Sequence, residues 1–182
     1  MNNQKICTYS VSALALFLLT ALGTTVNAQT CKSNVPISTD SSEFINHGDG
    51  TVTHTATGLM WKRCQEGKTG VNCEIVEPNV PAPVTWRWSL QQASDSTFAG
   101  YTDWRVPNIK ELASIVEISC YAPAINASIF PNDPGETVWS SSSYVNYTPY
   151  QWVMDFGYGI DYQLEKSGEY RVRLVRDAAI RD

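Results

Sequence analysis

Gly100-Tyr101-Thr102-Asp103-Trp104-Arg105-Val106-Pro107-Asn108-Ile109-Lys110-Glu111-Leu112 is the stretch that organises this chain. A short apolar segment, Trp104-Arg105-Val106, runs into Pro107 and ends there, because proline gives no N–H and holds the preceding residue extended. Asn108 then stands three residues before Glu111. That is the spacing of a capping box: the Asn side chain accepts from an early helical N–H, and the Glu side chain reaches back to the cap. Leu112, Ile115 and Val116 fall on one helical face. The pattern predicts an extended entry followed by a capped, amphipathic helix running to about Ile118.

Strand signals lie on both sides. Phe44 to Asn46 and Thr51 to His54 read as two strands around a Gly48-Asp49-Gly50 turn, and Ala56-Thr57-Gly58 leads into a third over Leu59 to Arg63. Pro78 to Pro83 excludes regular structure. Thr85 is a candidate cap for a first helix, with Trp86, Leu90 and Ala93 on its face. Tyr121 to Glu136, with three prolines, reads as loop. Beyond it come strands at Val138 to Ser140, Gln151 to Phe156, Ile160 to Leu164 and Tyr170 to Arg176, with turns at Gly157-Tyr158-Gly159 and Lys166-Ser167-Gly168. The expectation is one α+β domain of antiparallel strands with two short helices. No repeat or low-complexity tract interrupts it.

The N-terminus carries a different signal. Lys5 precedes a mostly apolar run from Ser10 to Val26, and Val26-Asn27-Ala28 offers a small-residue cleavage site before Gln29. That is the pattern of a secretory signal peptide over residues 1–28. The apolar run is broken by Thr20, Gly23, Thr24 and Thr25, which disfavours a membrane anchor. Cleavage would leave residues 29–182 as a single exported domain, periplasmic or extracellular, with no later segment for membrane insertion. It would remove Lys5 and no acidic residue, moving the formal charge from −5 to −6. An acidic chain is a poor partner for nucleic acid, whose affinity rests on Lys and Arg. Arg171, Arg173 and Arg176 cluster near the C-terminus, where alternation with Val172 and Leu174 reads as the solvent face of a last strand.

Four cysteines follow the leader: Cys31, Cys64, Cys73 and Cys120. An even number in an exported chain implies disulfides. Cys64 and Cys73 flank a polar loop with Gly67 and Gly70, which favours a local bridge and leaves Cys31 for Cys120. Neither C-x-x-C spacing nor a histidine-rich context supports zinc. No metal and no cofactor are expected.

Four segments together resemble the C-terminal domain family of the Legionella collagen-like adhesin, found in many small exported bacterial proteins. They are Gly48 to Thr53 with Thr57 to Trp61; Gly100 to Asn108 with Lys110-Glu111-Leu112; Val138 to Ser142; and Val172 to Arg176. They occur in the family's order. The resemblance implies an adhesion or recognition role, which in the adhesin is associated with sulfated glycosaminoglycans. It also implies a distant likeness to C-type-lectin-like folds, in which the first and last strands pair. This chain departs from the family in three ways. No Gly-X-Y stalk precedes the domain. Its balance is acidic. Asn46, His47 and His54 stand where the family often carries carboxylates, which leaves Asp49 almost alone as a calcium-type ligand.

Candidate functional residues lie after Trp139. Tyr144, Tyr147, Tyr150 and Tyr158 fall in or beside predicted loops, with Asp161 nearby, and exposed rings there would suit a sugar or a cell-surface protein. Cross-strand packing is the competing account of the same rings. Trp61, Trp86, Trp104 and Trp139 read as core. An enzyme acting on envelope glycans would need a carboxylate pair such as Asp155 with Asp161 or Glu165. A serine hydrolase would need His47 or His54 as base, but the serine run Ser140 to Ser143 has no nucleophile-elbow context. A structural component of a surface assembly is a further alternative. The favoured expectation is non-enzymatic recognition.

Overall fold

A computed structural model describes residues 29–178, so the leader lies outside the described residues. The first strand pair forms where Thr30–Cys31 (β1) meets Cys120–Tyr121 (β7), with Cys31 directly opposite Cys120. These two cysteines are bridged, and so are Cys64 and Cys73. Both disulfides match the sequence expectation.

The hairpin of Phe44–Asn46 (β2) and Thr51–His54 (β3) turns at Gly48-Asp49-Gly50, where both glycines have positive φ. Asp49 Oδ1 accepts from the Thr51 N–H at 2.9 Å and from its hydroxyl at 2.6 Å. The aspartate therefore closes a turn. Leu59–Lys62 (β4) pairs with β3, and Val175–Asp177 (β11) adds to its other edge, giving the order β11-β4-β3-β2. The C-terminal strand thus pairs with β4, whereas β1 pairs with β7. Among the described residues, the first and last strands do not pair with each other as they do in a C-type-lectin-like domain.

Lys68–Thr69 (β5), inside the loop stapled by Cys64–Cys73, and Ile75–Val76 (β6), just beyond it, form a small ribbon. Helix α1 spans Trp86–Asp95. Its buried residues are Ser89 and Ala93, while Leu90 is 37% exposed, so the inward face differs from the predicted one. Thr85 stands at the cap position without a side-chain hydrogen bond.

The capping box is formed as expected: Asn108 Oδ1 accepts from the Glu111 N–H at 2.9 Å, and Glu111 Oε2 accepts from the Asn108 N–H at 2.7 Å. Helix α2, however, is only Ile109–Ala113, well short of Ile118. The chain then tightens: Ile115 and Val116 donate to the carbonyls of Leu112 and Ala113. Val116 leaves the helix to form a bridge with Ile125, and Ile115 is fully buried. Tertiary packing stops the helix before its propensity does.

Thr137–Ser143 (β8), Tyr150–Asp155 (β9) and Ile160–Glu165 (β10) make an antiparallel three-stranded sheet, with β9 central. Side chains alternate between its faces. Val138 joins one core cluster, with Leu112, Ile115, Phe130 and Met154, and its neighbour Trp139 joins another, with Trp104, Val153, Val172 and Leu174. Trp61, Trp104 and Trp139 are buried, as read from sequence, and Trp86 packs at the edge of the second cluster.

The C-terminal arginines depart most from expectation. Tyr170 to Arg176 is not one strand: Arg171 bridges Val138, and regular pairing starts only at Val175. The segment passes from one sheet to the other and is covered on both sides. Arg173 is buried and paired with Asp133, Arg176 is buried against Asp103, and Arg171 pairs with Glu136. They are internal ties rather than a solvent face.

Candidate recognition surface

The β8–β9 connection and the outer face of the three-stranded sheet bring together most of the expected residues. Register fixes the geometry: Asp161 stands opposite Met154, Gln163 opposite Trp152, and Glu165 opposite Tyr150. Alternation therefore places Tyr150, Trp152, Asp161, Gln163 and Glu165 on one face. At its inner end that face holds buried Val138 and Met154. Towards Tyr150 and Glu165 it opens to solvent.

The aromatic rings there are ordered by each other. Tyr144 packs edge-on against Trp152 with centroids 5.7 Å apart, and Tyr147 lies 5.3 Å from Tyr150. Such pairs hold rings at fixed angles, at about 0.5–1.5 kcal/mol each. Tyr147 remains 57% exposed, while Tyr144, Tyr150 and Trp152 are half-buried. The Tyr150 hydroxyl lies 3.4 Å from Glu165 Oε1, whose negative charge pushes the phenol's pKa upward. The result is a semi-rigid aromatic surface edged by Glu165, with Asp161 farther along the same face, opposite Met154. The two sequence accounts of the tyrosines both apply: the rings pack across strands and still present area.

Tyr158 does not belong to this surface. It sits in the β9–β10 turn, at the other end of β9, and the six residues of that strand span roughly 20 Å. There it is 71% exposed and lines a cleft with Val35, Ile118 and Tyr121. The two loops that carry the candidate tyrosines therefore lie at opposite ends of β9. Trp152, not among the residues singled out from sequence, joins these rings. Its signal was its parity with Tyr150 along β9.

The catalytic arrangements are not assembled. Asp155 pairs with Ile160 in the ladder, so it points to the face opposite Asp161, and its Oδ1 accepts from the Gly157 N–H to close the turn. Glu165 lies at the far end of β10 from Asp155. Ser140 is fully buried and donates to the Trp152 carbonyl at 2.7 Å. His54 is buried against Phe44, with stacked rings 4.5 Å apart, and Nδ1 meets the Thr57 hydroxyl. His47 meets Thr53. Among the described residues, no group of three or more His, Cys, Asp or Glu side chains is placed to hold a metal ion. No described helix is long and apolar enough to cross a membrane.

No curated protein matches the chain. Residues 50–176, well over half its length, match the family model described as the Lcl C-terminal domain. The match takes in the Gly50 turn, the capped α2, the β8–β10 sheet and the arginines of the C-terminal crossing. The chain belongs to the Lcl C-terminal domain family.

Proposed function

We propose that this is an exported recognition domain that binds a neutral or basic glycan, or a surface protein of similar chemistry, through Tyr144, Tyr147, Tyr150 and Trp152 with Asp161 at the margin. The ordered ring pairs on the open end of the three-stranded sheet carry the reading. Tyrosine presents large area and a hydroxyl at low entropic cost, which suits shallow recognition. The supporting sheet is anchored by buried Val138, Val153 and Met154, so the rings need little reorganisation on binding. Two disulfides fit an oxidising, extracytoplasmic setting. Family membership supports a surface-associated, adhesin-type role.

Charge selects among ligands. Asp161 and Glu165 line the aromatic surface, and the arginines that might have met sulfate are engaged internally. A sulfated polymer would meet like charge here. The direct test is a glycan array probed with the oxidised domain: enrichment of neutral or amino-bearing glycans is expected, whereas retention of sulfated glycans alone would overturn the reading.

A further inference from the structure

Strand β10 lies at the margin of the order β10-β9-β8, and it pairs without a bulge from Ile160 opposite Asp155 to Glu165 opposite Tyr150. Two bonds fix which of its backbone groups face outward. The Lys166 N–H donates to the Pro149 carbonyl, continuing the ladder towards β9. The Trp152 carbonyl, opposite Gln163, accepts from Ser140 on the β8 side. In an antiparallel strand the N–H and C=O of one residue point the same way, and successive residues alternate. Ile160, Tyr162 and Leu164 therefore bond to β9, while Asp161, Gln163 and Glu165 turn their backbone groups away from the sheet. The Glu165 carbonyl accepts from the Gly168 N–H in the following turn. The N–H and C=O of Asp161 and Gln163 and the N–H of Glu165 meet no bonded partner beyond the sheet among the described residues.

Other edges are closed or short. On β8, the Trp139 N–H donates to Arg171 and the Ser141 N–H to Pro107; on β11, Val175 exchanges both bonds with Arg105. Strand β2 has only three residues. An open edge is a template for another strand, and proteins guard one with proline, lysine, a bulge or shortness. The six residues of β10 include no proline and no lysine. Its guards are the side chains of Asp161 and Glu165, both exposed and both on the face of Tyr150 and Trp152. These charges also decide what can pair here. A second copy, added antiparallel about Gln163, would set Asp161 of each copy against Glu165 of the other, and like charges directly opposite repel. A strand with lysine or arginine at those two positions would meet opposite charge twice. On the other face, its intervening residues would lie beside Ile160, 53% exposed, and half-buried Leu164.

We infer that β10 accepts an extended basic segment of a partner protein as an added antiparallel strand. The segment carries basic residues four apart, opposite Asp161 and Glu165, a polar residue between them opposite Gln163, and apolar residues at the alternate positions. Main-chain bonds to Asp161, Gln163 and Glu165 set the register, and the side-chain pairs set the choice of partner. The inference deepens the protein-partner side of the proposed function: it rests on the same acidic face but not on the tyrosine rings.

The test uses the oxidised, ¹⁵N-labelled protein and a synthetic peptide blocked at both ends, Thr-Val-Lys-Val-Thr-Val-Lys-Val-Thr, with amide hydrogen exchange read by NMR. Without peptide, the Asp161 and Gln163 N–H groups should exchange rapidly and those of Tyr162 and Leu164 slowly. With it, the Asp161, Gln163 and Glu165 N–H groups should become protected about tenfold or more. Replacing both lysines by glutamate should weaken binding about tenfold, as two cross-strand pairs change sign. N-methylation of the central threonine removes the donor to the Gln163 carbonyl and should abolish binding. Asp161→Lys with Glu165→Lys, at two exposed positions, should keep the wild-type circular dichroism spectrum and reverse the preference to the glutamate peptide. A glycan on the rings would instead shift the Trp152 indole and leave the three amides unprotected, so the two readings fail separately. Four results would each overturn the inference: no protection by the lysine peptide, equal affinity for the glutamate peptide, undiminished binding of the N-methylated peptide, or protection that rises with protein concentration alone, which would reveal pairing between two copies.

Discussion

Arg173 donates to Asp133 at 2.5 Å from inside the protein, with side chains 1% and 0% exposed. The pair is well supplied. Arg173 also donates to the Lys62 and Arg63 carbonyls and lies over the Phe130 ring, while Asp133 accepts from Gln65 and from the Gly135 N–H. It therefore clasps the C-terminal crossing to β4 and to the loop before β8. Removing one partner leaves the other charge buried and alone, so Asp133→Ala should cost about 3–5 kcal/mol. Replacing both, as in Arg173→Met with Asp133→Leu, should recover much of that loss. Urea unfolding checks both; a single-mutant loss under about 1 kcal/mol would show that water reaches the pair.

Glu117 is a buried carboxylate held by hydrogen bonds. It accepts from the Ser38 and Thr39 N–H groups, the Thr39 hydroxyl, and both the N–H and hydroxyl of Ser119. Burial opposes its charge, but the Ser119 and Thr39 bonds outweigh it and hold the pKa down to about 2. The folded value lies below the unfolded one, so the stabilisation is complete above a pH of about 4.5 and is lost as pH falls towards about 2. At roughly 1.4 kcal/mol per unit, the contribution is on the order of 3 kcal/mol. Across this window the native protein should lose more stability than Glu117→Gln does. Parallel pH profiles for the two would refute the linkage.

Leu112 is the fully buried residue of α2, packed with Ile115, Ile125 and Phe130. Its truncation removes apolar contacts and leaves a cavity. Leu112→Ala should cost about 2–5 kcal/mol in chemical denaturation. A cost below about 0.5 kcal/mol, the range of surface sites, would contradict its placement.

Local chemistry was legible in the sequence, and long-range packing was not. The capping box at Asn108 and Glu111 depends on residues three apart, and so do the glycine turns at Gly48 and Gly159; each formed where read. The length of α2 depends on Val116 meeting Ile125, and the burial of Arg173 depends on Asp133, forty residues away in sequence. The helical pattern around Val116 says nothing of a bridge to Ile125, nine residues on, and no window around Arg173 reaches Asp133. The tyrosines show the same division. Their clustering after Trp139 was visible, but only strand register separates Tyr158 from Tyr150 and brings Trp152 in.

The tyrosine surface gives the functional prediction. Tyr147 is the most exposed of its four rings and packs mainly on Tyr150, so Tyr147→Ala should leave the fold intact while weakening binding to the array-selected glycan about tenfold, in line with the loss of an aromatic anchor. Trp152→Ala should do the same and also loosen Tyr144, its edge-on partner. Tyr158→Ala, at the far end of β9, should leave that binding unchanged. Charge makes the complementary case. With Glu165 opposite Tyr150 and Asp161 farther along the same face, heparin should bind poorly at moderate salt, and Asp161→Lys should improve it. Surface plasmon resonance on the four variants, with circular dichroism as the fold control, reads all of these. Tight, salt-sensitive heparin binding by the native domain would reverse the charge argument. An equal loss in Tyr158→Ala and Tyr147→Ala would place the ligand elsewhere than on the open end of the sheet.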